Sequence, residues 1–396
     1  MINTTQKLDV LTSLRFFACI AILLHHSADD FSFIKNWIPS PKSLDVGVTF
    51  FFALSGFILT YVYRDINNKK DIYNFYVARF ARLWPLHLTC IFLLILLLPE
   101  RTNWSWTIAP VNLLLIQTWI PIPAYYFSYN AVTWSISAEV FFYALFPFLV
   151  INWKNTWFFK TCGIIGVSLA VVLIADRMGL PPYSAEKFLN ATAHGVGYIN
   201  PLSRMVAFFF GVVAGKFYLK NHTSLAKLSM PMFTFLELGI LCMAYFVITL
   251  TSSELMVFLG LTNETALRIY LIHNIISIAF AMAIFVFAFG GGYLSKILAI
   301  RPLIILGEIS FAIYMCHQII LRWYAVNREM FSVFNEFAVI VVFGIIIILS
   351  YLLWHFIEKP CREKLGKLLR KPDKKGGQNY PQASPRSFAK LDSTPP

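Results

Sequence analysis

The sequence predicts an all-α, polytopic membrane protein of about ten transmembrane helices with its N- and C-termini cytoplasmic. Three observations support that fold class. The chain of 396 residues is 58% hydrophobic and only 13% charged, whereas a soluble domain carries about 25% charged residues. Its apolar residues fall in long blocks divided by short polar breaks, and a helix needs roughly 20 such residues to cross a bilayer. Lys and Arg are spread unevenly over the breaks, and that bias sets orientation.

The blocks place spans near 8–28, 44–64, 83–99, 132–151, 158–176, 203–220, 232–250, 267–289, 303–324 and 335–357. A further apolar piece near 106–120 is short and flanked by proline, and is expected to be re-entrant or interfacial. With the N-terminus inside, the even-numbered loops should be basic. Lys69, Lys70, Arg79 and Arg82 follow the second span, Lys154 the fourth, Lys220 and Lys227 the sixth, and Lys296 and Arg301 the eighth. The loop 251–266, on the other side, has neither Lys nor Arg. A true span at 106–120 would invert every later loop and put the basic tail outside.

The first block is too long for the apolar core of a cleavable signal and lacks a small-residue cleavage site, so it is expected to remain as an anchor. Residues 1–360 read as one membrane domain. Residues 361–396 read as a basic cytoplasmic tail, polar and rich in Gly, Pro and Ser from about Lys371 and expected to be disordered. The net charge of +13 does not point to nucleic acid. From Lys359 onward ten Lys or Arg stand against three acidic residues, which reads as a topology signal facing anionic membrane lipid. Cys19, Cys90, Cys162, Cys242, Cys316 and Cys361 are scattered without metal-ligand spacing. They read as small apolar packers, with neither a disulfide nor a metal implied.

Ionisable residues inside the apolar blocks point to function, because they are costly there. The first block, LDVLTSLRFFACIAILLHHS, carries Arg15 and the pair His25–His26. Eleven helical steps of 100° return Arg15 and His26 to within about 20° of one line, roughly 16 Å apart along the axis. A fixed cation and a titratable base therefore share a stripe. In FYVARFARLWPLH, Arg79 and Arg82 are three apart and share a face, placed at the cytoplasmic mouth of the third span. They read either as a topology signal or as an anion site, since a guanidinium binds phosphate through a planar fork. In VTWSISAEVFFYALFPF, Glu139 and Ser135 are four apart on one face. Glu139 is open to pairing with an arginine, orienting a substrate hydroxyl, or holding helices together. The Ser55–Gly56 pair in FFFALSGF reads as a packing element. Arg204, His273 and His317 add charged or titratable groups in three more spans, and together these residues suggest a shared polar interior.

Taken together, the segments resemble the acyltransferase-3 family of integral membrane acyltransferases, which modify sugars of surface polysaccharides and some secondary metabolites. LTSLRFFACIAILLHH is similar to the family's motif of Arg, ten residues and His, with Arg15 and His26 in the two places. FFFALSGF resembles its Phe-Phe-x-Leu-Ser-Gly-Phe stretch, ARFARLWP its Arg-x-x-Arg motif, and WSISAEVFFY its Trp-Ser-x-Ser-x-Glu segment. LGEISFAIYMCHQ, with His317, and HFIEKP resemble its two late segments. The six lie in family order between about Leu8 and Pro360. Departures stand at Thr49, where an acidic residue is frequent, at His87, where Tyr is frequent, and at Ala207, where Glu is frequent. They bear on the acceptor more than on the reaction. The esterase-like domain found in some relatives is not expected in this chain.

The resemblance implies O-acyl transfer, chiefly acetyl, from acetyl-coenzyme A or another acyl-CoA to a sugar hydroxyl of a cell-surface polysaccharide or lipid-linked glycan. His26 would be the base, since an imidazole suits general-base work near neutral pH. Arg79 and Arg82 would hold the CoA phosphates, and Arg15 would continue that cationic path or pair with Glu139. Ser135, His317 and Arg204 are further candidates. A bacterial cytoplasmic membrane is the expected location. Alternatives are a transporter or flippase of lipid-linked sugars, and an acyltransferase with a long-chain donor or a macrolide acceptor. Orientation puts Arg15 on the inner half of the bilayer and His26 on the outer half, with a pantetheine arm threaded between helices. Cysteine-accessibility labelling is expected to reach position 26 from the outside; labelling from the cytoplasm would end the through-membrane version.

Overall fold

The computed structural model describes residues 8–369 apart from 39–40, 65, 67, 102–104, 185, 187 and 253. Most of the expected disordered tail, 370–396, lies outside the described residues. The described residues are helical without a strand, and ten helices are long and apolar enough to cross a membrane. Those helices are built on α1 (Asp9–Ser27), α2 (Gly47–Val62), α3 (Lys69–Leu97), α4 (Thr133–Val150), α5 (Trp153–Arg177), α6 (Pro201–Leu225), α7 (Met230–Ser252), α8 (Ala266–Phe287), α9 (Arg301–Val326) and α10 (Ala338–Leu353). A π-turn, Trp354–Glu358, leads into α11 (Lys359–Leu369), which folds back on α3.

The other nine of these helices begin or end close to the apolar blocks, but α3 corrects its expected bounds. It starts at Lys69, capped by the Asn68 side chain, which accepts a hydrogen bond from the Asp71 amide at 2.9 Å. Apolar content alone misses this start, because the first turns of α3 are polar. Arg79 and Arg82 consequently sit about three turns from the start of this helix.

The segment 105–132 is not a span. It holds only the short helices Ala109–Leu113 and Pro123–Tyr126 and a 3₁₀ turn at Gln117–Trp119. Irregular backbone at membrane depth persists only where protein satisfies it, and side chains do so here. Asn112 Nδ2 donates to the Ser128 carbonyl at 3.1 Å, Trp84 Nε1 to Leu113 at 3.2 Å, and Asn130 Nδ2 to Met315 of α9 at 2.7 Å. His87, one of the departures, is buried with Nε2 3.0 Å from the Asn112 carbonyl, so it pins this segment to α3.

Small residues bring two helix pairs into backbone contact. A Cβ added at Gly307 of α9 would run into the Thr12 carbonyl of α1, and one at Gly56 or Gly211 would run into the facing backbone of the α2–α6 pair. Cys19 Sγ of α1 reaches the Ser310 carbonyl of α9 at 3.3 Å. These contacts progress in the same sense along both chains, so α1 and α9 run parallel. Gly307→Ala is expected to lower the thermal midpoint of the purified protein, and Thr12→Gly is expected not to rescue it, because the obstructing oxygen belongs to the backbone. An unchanged midpoint in a thermal-shift assay would remove the crossing from the packing account.

Candidate active site

The parallel crossing of α1 and α9 carries His26 to His317. His26 Nδ1 lies 3.1 Å from His317 Nε2, and His317 Nδ1 lies 2.7 Å from the Tyr314 carbonyl and 3.2 Å from that of Ile313. A carbonyl only accepts, so His317 Nδ1 must carry a hydrogen. In the neutral ring Nε2 of His317 is then the acceptor, and His26 donates to it from Nδ1. His26 Nε2 is left with its lone pair. Two backbone oxygens of α9 thus fix the tautomer of a base on α1.

Arg15, Arg79, Arg82, Ser135 and Glu139 line one cavity of about 100 Å³ among α1, α2, α3, α4 and α9. Arg79 stands among the rings of Tyr63, Phe75 and Tyr143, each within 6 Å of its guanidinium carbon. Its Nη2 donates to the Tyr63 hydroxyl at 3.3 Å, while its buried Nε has no hydrogen-bond partner among the described residues. Arg82 stacks over Phe311 at 5.7 Å. Aromatic faces support a cation without neutralising it, so charge remains for a ligand.

Glu139 lies within Coulomb reach of Arg15 and Arg79. It accepts hydrogen bonds from Ser55 Oγ at 2.7 Å and from the Tyr143 hydroxyl, tying α2 to α4. Ser55 therefore does more than pack; Gly56 alone makes the close approach to α6. Ser135 Oγ meets the Tyr314 hydroxyl at 2.7 Å. Tyr314 lines the cavity and lies 5.8 Å from the His317 ring, which makes it the wall between the arginines and the histidine pair. Sequence reasoning missed Tyr314, Tyr63 and Tyr143. Tyr143 sits four residues after Glu139, a usable helical signal, whereas Tyr314 and Tyr63 are brought in by distant helices.

Arg204 lies apart from this cavity. It is fully buried, its Nη2 donates to Thr49 Oγ1 at 2.6 Å, and it faces the rings of Tyr198 and Phe52. Thr49 offers Arg204 a neutral hydroxyl, where a carboxylate would form an ion pair. His194, in the loop before α6, is pushed down to about 4, first by burial and then by the Arg204 charge; it is neutral at physiological pH.

The sequence profile of the acyltransferase-3 family, described as an acyltransferase domain, matches residues 8–355, so the chain belongs to that family and is a membrane acyltransferase. It is 26% identical to the acyltransferase MdmB of Streptomyces mycarofaciens over 91% of this chain and 93% of that one. It is also 26% identical to the O-acetyltransferase OatA of Staphylococcus aureus, over 94% of this chain and 60% of OatA. No solved structure matches the chain.

If the Ser55 and Tyr143 bonds hold Glu139 as described, Glu139→Ala costs stability of the order of 1–3 kcal/mol, the scale of hydrogen bonds to a charged group. Glu139→Gln, which keeps an acceptor oxygen, should lose less. Thermal melts of the two variants in the same detergent check the order; equal melts would deny Glu139 its tie.

Proposed function

We propose that this acyltransferase moves an acyl group, chiefly acetyl, from acyl-coenzyme A to a hydroxyl of a sugar in a surface polysaccharide or lipid-linked glycan. The observation that carries the reading is the tautomer-locked His26, beyond one wall of an arginine-lined cavity. Thiol esters of coenzyme A bring a diphosphate, and Arg79, Arg82 and Arg15 offer fixed positive charge with the unpaired Nε of Arg79 among it. Charge-assisted bonds from guanidinium to phosphate are about twice as strong as neutral ones. Similarity to the acyltransferase MdmB and the O-acetyltransferase OatA supports acyl transfer, and that to OatA supports acetyl.

In this mechanism His26 Nε2 takes the proton of the acceptor hydroxyl as its oxygen attacks the thioester carbon. The carbon–sulfur bond breaks, and the imidazolium returns the proton to the departing thiolate. His317 acts as a positioning residue: its Nε2 accepts from His26 Nδ1–H and stabilises the imidazolium, as an ordered partner does for a general base.

His26→Ala is expected to lower transfer by about 10²–10⁴-fold. Mass spectrometry of surface glycans and glycolipids from cells at matched expression should show one acyl group lost per modified unit. An unchanged acylation pattern would take His26 out of the mechanism. Arg79→Lys keeps charge but loses the fork, so it should raise the acyl-CoA KM by about tenfold with little change in kcat. For His317→Ala the expectation is a lower kcat, an unchanged donor KM and a displaced pH–rate profile; a merely structural residue would leave the profile in place.

A further inference from the structure

A second polar cluster lies beside the histidine pair, outside the arginine-lined cavity. Asp45, in the turn before α2, is 4.0 Å from His273 Nε2 of α8, and Tyr198 stands near the same carboxylate. His25 and Arg204 lie within Coulomb reach of the same carboxylate. The His25 ring is 4.9 Å from that of His26, which places the cluster next to the base.

Three features of the cluster point to a ligand. Arg204 is fully buried, yet its Nε and Nη1 have no hydrogen-bond partner among the described residues, and buried His273 leaves Nδ1 in the same condition. Buried polar groups of this kind are rare and costly. The Asp45 side chain keeps 29% of its surface accessible, so a ligand can reach it. Aromatic rings lead inward to it: exposed Tyr183 lies 5.9 Å from His194, His194 5.0 Å from Tyr198, and Tyr198 4.4 Å from His273.

We infer that Asp45, His273, Tyr198 and Arg204 form the subsite that holds the acceptor, and that its ligand is a polyhydroxylated sugar ring. The inference deepens the acyl-transfer reading above and rests on it. Hydroxyls both donate and accept, which matches a carboxylate and an imidazole facing a guanidinium. An anionic acceptor would meet the Asp45 charge. A flat apolar acceptor would leave Arg204 and His273 unsatisfied, at a cost comparable to a lost hydrogen bond for each. Ring faces such as Tyr198 and Tyr183 suit the apolar side of a sugar, with hydroxyls at their polar ends to meet its polar groups. Specificity follows, because a site built to bond hydroxyls rejects an analogue that lacks them.

The test uses the purified full-length protein in nanodiscs with radiolabelled acetyl-CoA and two kinds of acceptor. One is a panel of methyl glycosides of glucose, galactose, mannose, rhamnose and N-acetylglucosamine. The other is benzyl alcohol, which has a hydroxyl to acylate and no sugar ring. Wild type is expected to acetylate at least one glycoside. Asp45→Asn and His273→Gln should each raise its KM by about tenfold or more, the effect of one hydrogen bond to a charged group. Transfer to benzyl alcohol and binding of acetyl-CoA should stay within about twofold of wild type, which also shows that the variants are folded. Equal losses with both acceptors would mean that the cluster serves the base, and would overturn the proposal. So would unchanged glycoside kinetics, or a wild type that acetylates benzyl alcohol but no glycoside. A wild type that acetylates neither would instead defeat the proposed transfer from acetyl-CoA to a sugar hydroxyl, and this subsite with it.

Discussion

Where Gly307 meets the backbone of Thr12, α1 and α9 come so close that not even a methyl group fits between them. In a bilayer no hydrophobic force draws one apolar helix to another, so close packing at small residues is a principal means of association. That crossing sets the distance at which longer side chains further along can meet. Cys19 reaches the Ser310 carbonyl, and two turns on His26 reaches His317. The geometry of the histidine pair therefore derives from a glycine roughly three turns away. The second close pair, α2 with α6, does the same for Arg204 and Thr49.

Charge inside this fold is held in two ways. Arg79 and Arg82 are lodged against aromatic faces, which stabilise a cation but leave its charge available. Arg204 is tied to a neutral hydroxyl with a carboxylate nearby. In both places no closed ion pair forms among the described residues, and a buried charge left open is expensive. Glu139 and Glu237 show the opposite treatment. Each receives enough hydrogen bonds from neighbouring hydroxyls or amides to act as a tie between helices.

Much of this was legible in the sequence because membranes impose a simple length rule. The number of spans, the non-spanning character of 106–120 and the alignment of Arg15 with His26 all follow from apolar run length and 100° steps. The start of α3 was not legible, since polar turns that continue a helix look like loop. Nor could periodicity show that Ser55 bonds Glu139, 84 positions away, or that Tyr314 stands between arginines and histidines. Such pairings depend on which helices touch. The family motifs marked His317 as notable without showing that its ring faces His26.

The lock on His317 also has a consequence for energetics across the membrane. With Nδ1 of His317 committed to the Tyr314 carbonyl, the histidine pair has a single vacant site for a proton, on His26 Nε2. In the proposed cycle the proton leaving the acceptor hydroxyl must pass to the departing sulfur before that site is vacant again. Ester and thiol then emerge with as many protons as alcohol and thioester brought in. Turnover exchanges none with either aqueous phase, so a transmembrane proton gradient neither drives nor opposes the reaction.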